Sequence, residues 1–131
     1  AWAKARATGQ KVPELVICPH ENAAIGMAHG YYLGTGKVQA VMVHTNVGLA
    51  NAACGVINLA NSNIPVLIFG GRTPISEHSH FGCRNTPIGY GQEMRDQAAL
   101  IRESVKWDFE LRLADQIGEH VDRACRKGRS T

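Results

Sequence analysis

The sequence predicts an α/β fold, a three-layer sandwich with a mostly parallel central sheet. Two observations predict it. Strand-sized, almost continuously apolar runs recur at ELVIC (14–18), VQAVMVHT (38–45) and IPVLIFGG (64–71). Helix-sized segments separate them at 22–35 and 48–61. Strands that are apolar on both faces and alternate with helices belong to parallel sheets covered on both sides, with right-handed crossovers. A chain of 131 residues and 14.2 kDa makes one domain at most and can bury a core without staples.

Each element follows from its own residues. ELVIC is a buried strand that stops at Pro19, and His20 and Glu21 follow at once. Residues 22–35 form a helix of small side chains. The β-branched bias of 38–45 marks a second strand, GLANAACGVINLAN (48–61) a second helix, and 64–71 a third strand closed by two glycines. Residues 72–91 lack periodicity and contain Pro74, Pro87, Gly82, Gly89 and Gly91. So long a structureless stretch in a compact domain marks a functional loop or a partner contact. QEMRDQAALIRES (92–104) predicts a helix, and VKWDFEL (105–111) alternates weakly, as a short edge strand does. ADQIGEHVDRACRKG (114–128) is an amphipathic helix, with Ile117, Val121, Ala124 and Cys125 on one face and charges placed to suit its dipole. Both ends have the look of cuts: AWAKARATGQ resembles the tail of a helix, and RKGRST stops where such a fold runs into another strand.

Composition narrows the functional classes. The net charge of +3 is spread along the chain apart from Arg123 to Arg129, and no stacking aromatic platform accompanies it, so no nucleic-acid partner is expected. No apolar run approaches a membrane span, and the first residues lack the hydrophobic block of a signal peptide. Cys18, Cys54, Cys83 and Cys125 are widely spaced, without C-x-x-C, and are taken as reduced thiols of a cytoplasmic protein rather than a zinc set.

Ligands of open parallel sheets bind beyond the carboxyl ends of the strands. Three places qualify: His20 with Glu21, then His44, Thr45 and Asn46, then Gly70, Gly71 and Arg72. Glu21 is the sharpest feature. Either it only favours a helix N-terminus, or it is an acid/base carboxylate in a partly dry crevice whose pKa desolvation raises. The segment TNVGLANAACG (45–55) matches neither common phosphate-loop pattern, and capping of the second helix by Thr45 or Asn46 is the simpler expectation. His78 and His80 in EHSH are expected to be a solvated loop rather than a metal site, and Met27, Met42 and Trp107 to be packing residues.

Residues 20–74, HENAAIGMAHGYYLGTGKVQAVMVHTNVGLANAACGVINLANSNIPVLIFGGRTP, resemble the pyrimidine-binding domain of thiamine-diphosphate-dependent enzymes, in the acetolactate synthase-like group. The likeness lies in order and spacing: a strand ending in His-Glu, an Ala-rich helix with Gly-Tyr, Thr-Gly-Lys, a strand, a Thr-x-x-Gly turn, a helix with Asn and Gly, and a Pro-hydrophobic-Gly strand. QEMRDQAALIRESVKWD (92–108) is similar to the family's Gln-Glu segment and Lys-bearing strand.

The resemblance implies that Glu21 hydrogen-bonds N1′ of the aminopyrimidine and promotes loss of the proton from thiazolium C2, so that the cofactor becomes the electron sink for decarboxylation or C–C cleavage. It implies that Thr45, Asn46, Val47 and Gly48 line the pyrimidine side, that Asn51 follows on the helix, that Gln92 faces the active site, and that His20 orients or neighbours Glu21. Residues 1–131 are then a pyrimidine-binding domain fragment with a long functional loop at 72–91. The family holds Mg²⁺ and the diphosphate through a Gly-Asp-Gly…Asn segment on a separate domain, and nothing here matches it. The implied partners are a diphosphate-binding domain of the same or a second subunit, a homodimer or homotetramer, and a small-molecule acyl substrate. The implied activity is a lyase, decarboxylase or carboligase of 2-oxo acids or 2-hydroxyacyl compounds; this fragment alone is expected to be inactive. The family's usual turn is Thr-Ser-Gly-Pro-Gly, and here it is Thr-Asn-Val-Gly-Leu. Two other readings stand beside this one: a non-catalytic pyrimidine-type domain serving subunit assembly, and a different nucleotide-binding α/β domain, which the missing glycine fingerprint disfavours.

Overall fold

A computed structural model describes residues 2–74, 76, 78, 79, 83 and 92–129. Helix α1 is Trp2–Ala7, α2 is Glu21–Thr35, β1 is Gln39–Val43, α3 is Thr45–Asn61, β2 is Val66–Gly70 and α4 is Ile117–Arg129. The two strands pair in parallel, from Gln39 against Val66 to Val43 against Gly70, with α3 as the crossover between them. This is the expected α/β unit, with every element bound close to its predicted limits. No helix among the described residues is long and apolar enough to cross a membrane.

The core lies between the sheet and α2 and α3. Val41 and Val43 of β1 face Ile25 and Ala28 of α2 and Leu49, Ala52, Val56 and Leu59 of α3. Each large side chain removed from water here stabilises by about 1.5–3 kcal/mol. Helix α2 starts after His20, whose Nδ1 accepts from the Asn22 N–H at 3.1 Å, and ends at Gly36, whose left-handed φ of 69° returns its N–H to the Tyr32 carbonyl.

The crossing of α2 and α3 is set by one residue. A Cβ built on Gly55 lies 2.6 Å from Asn22 Oδ1 and 2.6 Å from Ile25 Cγ2. Ile25 is buried and cannot yield, so only hydrogen fits at position 55.

The structure corrects several expectations. Residues 14–18 form no strand: Leu15, Val16 and Ile17 are exposed, Ile17 by 89%. An apolar run has strand composition, but a strand needs a ladder partner, and the described ladder joins only β1 and β2. The segment instead runs beside α1, where the Trp2 indole donates to the Pro13 carbonyl at 2.8 Å. The helix expected at 92–104 is broken into 3₁₀ turns at Ala98–Leu100 and Arg102–Ser104. Side chains compete for it: Asp96 accepts from the Ala99 N–H, Arg102 forks onto Asp96 and Asp108, and Gln97 is drawn to the Gly71 carbonyl. The weak alternation of 105–111 produces no edge strand, because Trp107 and Phe109 stack on each other and on His120 of α4. Met27 and Met42 are exposed rather than core, since they lie on the faces of α2 and β1 that point away from the packed layer. All four cysteines are free. Most of 75–91, with His80, lies outside the described residues.

Replacing Gly55 by Val is expected to destabilise the chain by about 1–3 kcal/mol through overpacking at the crossing. Gly26→Ala, in the open middle of α2 with nothing within 4 Å of the new methyl, is expected to stabilise it by about 0.5–1 kcal/mol. Urea denaturation followed by circular dichroism checks both signs.

Candidate active site

The carboxyl end of β1 delivers the chain into α3 through an unusual corner. His44 is the residue before the helix and makes no side-chain cap. Thr45 has φ of 51°, a left-handed conformation that β-branched residues avoid, and is 2% exposed. Its Oγ1 and the Oδ1 of Asn46 are buried without hydrogen-bond partners. The expectation that Thr45 or Asn46 caps the helix is therefore overturned: neither side-chain oxygen makes a capping bond. A strained residue with an orphaned polar atom is costly, and such outliers concentrate at functional sites.

Glu21 opens α2 beside this corner. Its Oε2 accepts from Asn51 Nδ2 at 3.1 Å. A Cβ built on Gly48 lies 3.2 Å from Glu21 Oε1, so the glycine is what lets the carboxylate lie against α3. Gly48, Asn51 and Gly55 recur at helical spacing on one face of α3, and Glu21, Asn22 and Ile25 meet them in register. The structure thus brings together His20, Glu21, Gly48 and Asn51, with Thr45 and Asn46 at the adjoining corner. Val47 is exposed. Gln92 is half-buried in a separate segment, and none of the described hydrogen bonds joins it to Glu21.

The electrostatics differ from expectation. Glu21's carboxyl is held below its ordinary pKa, first by its own backbone N–H at the helix start, then by Asn51. Burial opposes this and is outweighed, and His20 and His44 add to the lowering. The expected upward shift is absent because the carboxylate is still open to water on one side.

A third group lies around the end of β2, where the sequence pointed to Gly70, Gly71 and Arg72 but not to the partners Thr73, Glu93 and Gln97. Thr73 and Gln97 are, with Thr45, the buried polar residues of the described chain. Gln97 Nε2 donates to the Gly71 carbonyl at 2.9 Å, and the Gly71 N–H donates to the Val43 carbonyl at 3.0 Å. Arg72 donates to Glu93, to the Met94 carbonyl at 2.7 Å and to Glu110 at 2.8 Å; the Thr73 hydroxyl donates to the other oxygen of Glu93. Pairing with Glu93 raises the Arg72 pKa further. The only signal for this in the sequence is that an Arg-Thr pair ends an apolar strand.

Residues 5–100 match the family model described as thiamine pyrophosphate enzyme, N-terminal TPP binding domain. The chain belongs to this family. Over 114 residues it is 37% identical to the acetolactate synthase large subunit of Haemophilus influenzae, covering 85% of this chain and 18% of that protein. It is 32% identical to the sulfoacetaldehyde acetyltransferase of Rhodobacter capsulatus, over 86% of this chain and 18% of that protein. The thiamine diphosphate-dependent 4-hydroxybenzoylformate decarboxylase of Rhodococcus jostii superposes with a TM-score of 0.66 at 28% identity, over 81% of this chain and 19% of that one. This thiamine-diphosphate domain therefore spans about a fifth of the length of the relatives it matches.

The residues present fit one end of that cofactor. A carboxylate held in place by α3, a glycine that keeps the approach open, and two buried polar atoms with no partner suit a flat ring carrying nitrogen donors and acceptors. Among the described residues no group of three or more His, Cys, Asp or Glu could hold a metal ion.

In the isolated domain Glu21 is expected to titrate below the ordinary 4.5, and Asn51→Ala to move it back toward that value. Because the folded pKa is the lower one, Glu21's contribution to stability is complete above the unfolded pKa and lost as pH falls through the folded value. Carbon-detected NMR titration of the Glu21 carboxyl in both proteins checks this.

Proposed function

We propose that this chain is the pyrimidine-binding part of a thiamine-diphosphate-dependent enzyme acting on 2-oxo acids or 2-hydroxyacyl compounds, and that Glu21 is its catalytic residue. The observation that carries the proposal is the geometry of Glu21: it opens α2, held by Asn51 over Gly48 beside the strained Thr45 corner that follows β1. When bound, thiamine diphosphate supplies a nucleophilic carbon at C2 and an electron sink for breaking a bond next to a carbonyl.

The chain's own residues do the rest. Glu21 holds a proton at N1′ of the ring, while Asn51 fixes the carboxylate so that one oxygen stays free for that bond. Thr45 Oγ1 and Asn46 Oδ1 offer their unused hydrogen-bonding capacity to the ring's polar edge, and Gly48 and Val47 let its face approach. His20 caps α2 and so sets where Glu21 begins. Gln92 faces the active site. Sharing a proton with N1′ needs a carboxyl of higher proton affinity than Glu21 has in the open domain. The covering surface supplies it by excluding water. That surface is a diphosphate-binding domain, of the same or a second subunit in a homodimer or homotetramer, which also holds Mg²⁺. Residues 1–131 then serve as one domain, with 72–91 as its functional loop, in a cytoplasmic enzyme. The family supports a 2-oxo acid as substrate through the Rhodococcus relative, whose named substrate is one.

Exchange of the cofactor's C2 proton in deuterated buffer, followed by NMR with Mg²⁺ present, tests the assignment in the longest natural polypeptide that carries this chain. Exchange is expected to be fast, and Glu21→Gln to slow it by about 100-fold or more, the usual scale for removing a positioned acid or base. Exchange no faster than that of free cofactor in both proteins would leave the domain as an assembly module.

A further inference from the structure

The amino end of the sheet carries a cavity of its own. Val38 and Pro65 stand directly before β1 and β2, and they line a cleft of about 860 Å³. That volume falls within the range of small-molecule sites, about 300–1,000 Å³. Lys37, Lys106 and Arg129 line it from three segments of the chain, and no Asp or Glu is among its described lining residues. Each wall is held in place. Gly36, at φ 69°, ends α2 and turns the chain, and the Lys37 N–H donates to Thr35 Oγ1 at 3.2 Å. Asn63 sits at φ 53°, a left-handed position that asparagine tolerates, with its N–H on the Ala60 carbonyl at 3.1 Å. The last turn of α4 lies against Pro65, where a Cβ on Gly128 would be 3.7 Å from the Pro65 Cβ. Lys106 precedes Trp107, which stacks on His120 of α4. The carbonyl ends of α2, α3 and α4 lie at this end of the sheet and draw cations to it. That accounts for a basic last turn in α4, which Arg126 and Lys127 also supply, but not for Lys106, which lies in no helix. Lys37 and Arg129 form none of the salt bridges among the described residues.

We propose that this cleft binds a phosphate ester whose organic part is about the size of a nucleoside. The proposal does not depend on the role given to Glu21, which lies at the far end of α2, 15 residues or about 22 Å away. Cations that converge on one cleft without a carboxylate among them select an anion. A phosphate group offers several charged acceptor oxygens to the guanidinium fork of Arg129 and to two ammonium groups. A phosphate alone would leave most of the cleft empty. The rest of the wall suits an organic body: Tyr32 supplies a half-buried aromatic ring, Val38 and Pro65 are apolar, and Asn63 carries an amide that can both donate and accept.

The test is isothermal titration of the longest natural polypeptide carrying this chain, saturated with thiamine diphosphate and Mg²⁺, in about 150 mM salt so that diffuse attraction is screened. The probes are ADP, inorganic phosphate and adenosine. ADP is expected to bind with a dissociation constant of about 1 mM or tighter, and phosphate and adenosine each at least about 10-fold more weakly. Lys37→Ala and Arg129→Ala are each expected to weaken ADP binding by about 5- to 10-fold, and Lys37→Glu combined with Arg129→Glu to abolish it. Arg123→Ala, on the same helix but outside the cleft, should leave the affinity within about twofold. Lys37, Arg123 and Arg129 are all exposed, so these changes leave the core untouched, which an unaltered circular dichroism spectrum checks. No binding of ADP, unchanged affinity in the Lys37 and Arg129 variants, or an equal loss in Arg123→Ala would each overturn the proposal. Inorganic phosphate binding as tightly as ADP would overturn it too, by showing a simple anion site with no use for an organic body.

Discussion

The close crossing of α2 and α3 is the constraint on which the site depends. Gly55 allows the two helices to touch, and the contact at Asn22 and Ile25 fixes both their separation and their register. Two turns toward the N-terminus of α3, Gly48 meets the first residue of α2. Glycines seven residues apart fall on nearly the same stripe of a helix, so the contact that seals the core and the contact that admits the carboxylate belong to one packing solution. Asn51 lies between them and supplies the hydrogen bond that stops Glu21 from rotating into solvent. Position and chemistry are coupled in this way because α2 cannot slide along α3 without losing Ile25 from the core.

The electrostatic state of Glu21 follows from the same geometry. A carboxylate at a helix start, bonded by its own N–H and by an amide, is stabilised as the anion. Desolvation works the other way, and the domain by itself supplies too little of it to prevail. The Glu21 carboxyl of this pyrimidine-binding domain therefore keeps a proton affinity below the ordinary one for as long as water reaches it. Other features agree with a surface meant to be covered: Val47 and Met27 are exposed close to the site's elements, and Leu15, Val16 and Ile17 run along the outside.

The helix-strand-helix-strand unit from Glu21 to Gly70 was legible in the sequence because each of its elements carries a local signal: apolar β-branched runs and small-residue helices. The position of Glu21 was legible for the same reason. Three things were not. Strand formation at 14–18 depends on a ladder partner, which composition does not report. The breakup of 92–104 depends on Asp96, Gln97 and Arg102 finding better bonds than a helix offers, and one of those bonds is to a carbonyl 26 residues away. The corner at Thr45 looked like an ordinary cap, and only its positive φ and unpartnered Oγ1 show that it is not one. Local rules fail here at the strand ends, where non-local polar contacts decide, and those are the places where function concentrates.

The two halves of the site are anchored on different elements, and this has a mechanical consequence. Glu21 is fixed by α3, within one packed layer, through contacts of which several are apolar and buried. The segment that follows the long loop is fixed by ion pairs and hydrogen bonds to the end of β2, with Arg72 and Glu93 only partly shielded from water. Apolar packing tolerates little displacement, whereas a partly exposed polar network can be rebuilt with different partners at small cost. The unit that carries Glu21 is thus the rigid one, and the polar unit at the end of β2 is the one more easily rebuilt. If Glu21 activates the cofactor as proposed, a scaffold of this construction keeps that carboxylate fixed while the polar contacts at the end of β2 vary, because the two share a sheet end but not a set of contacts.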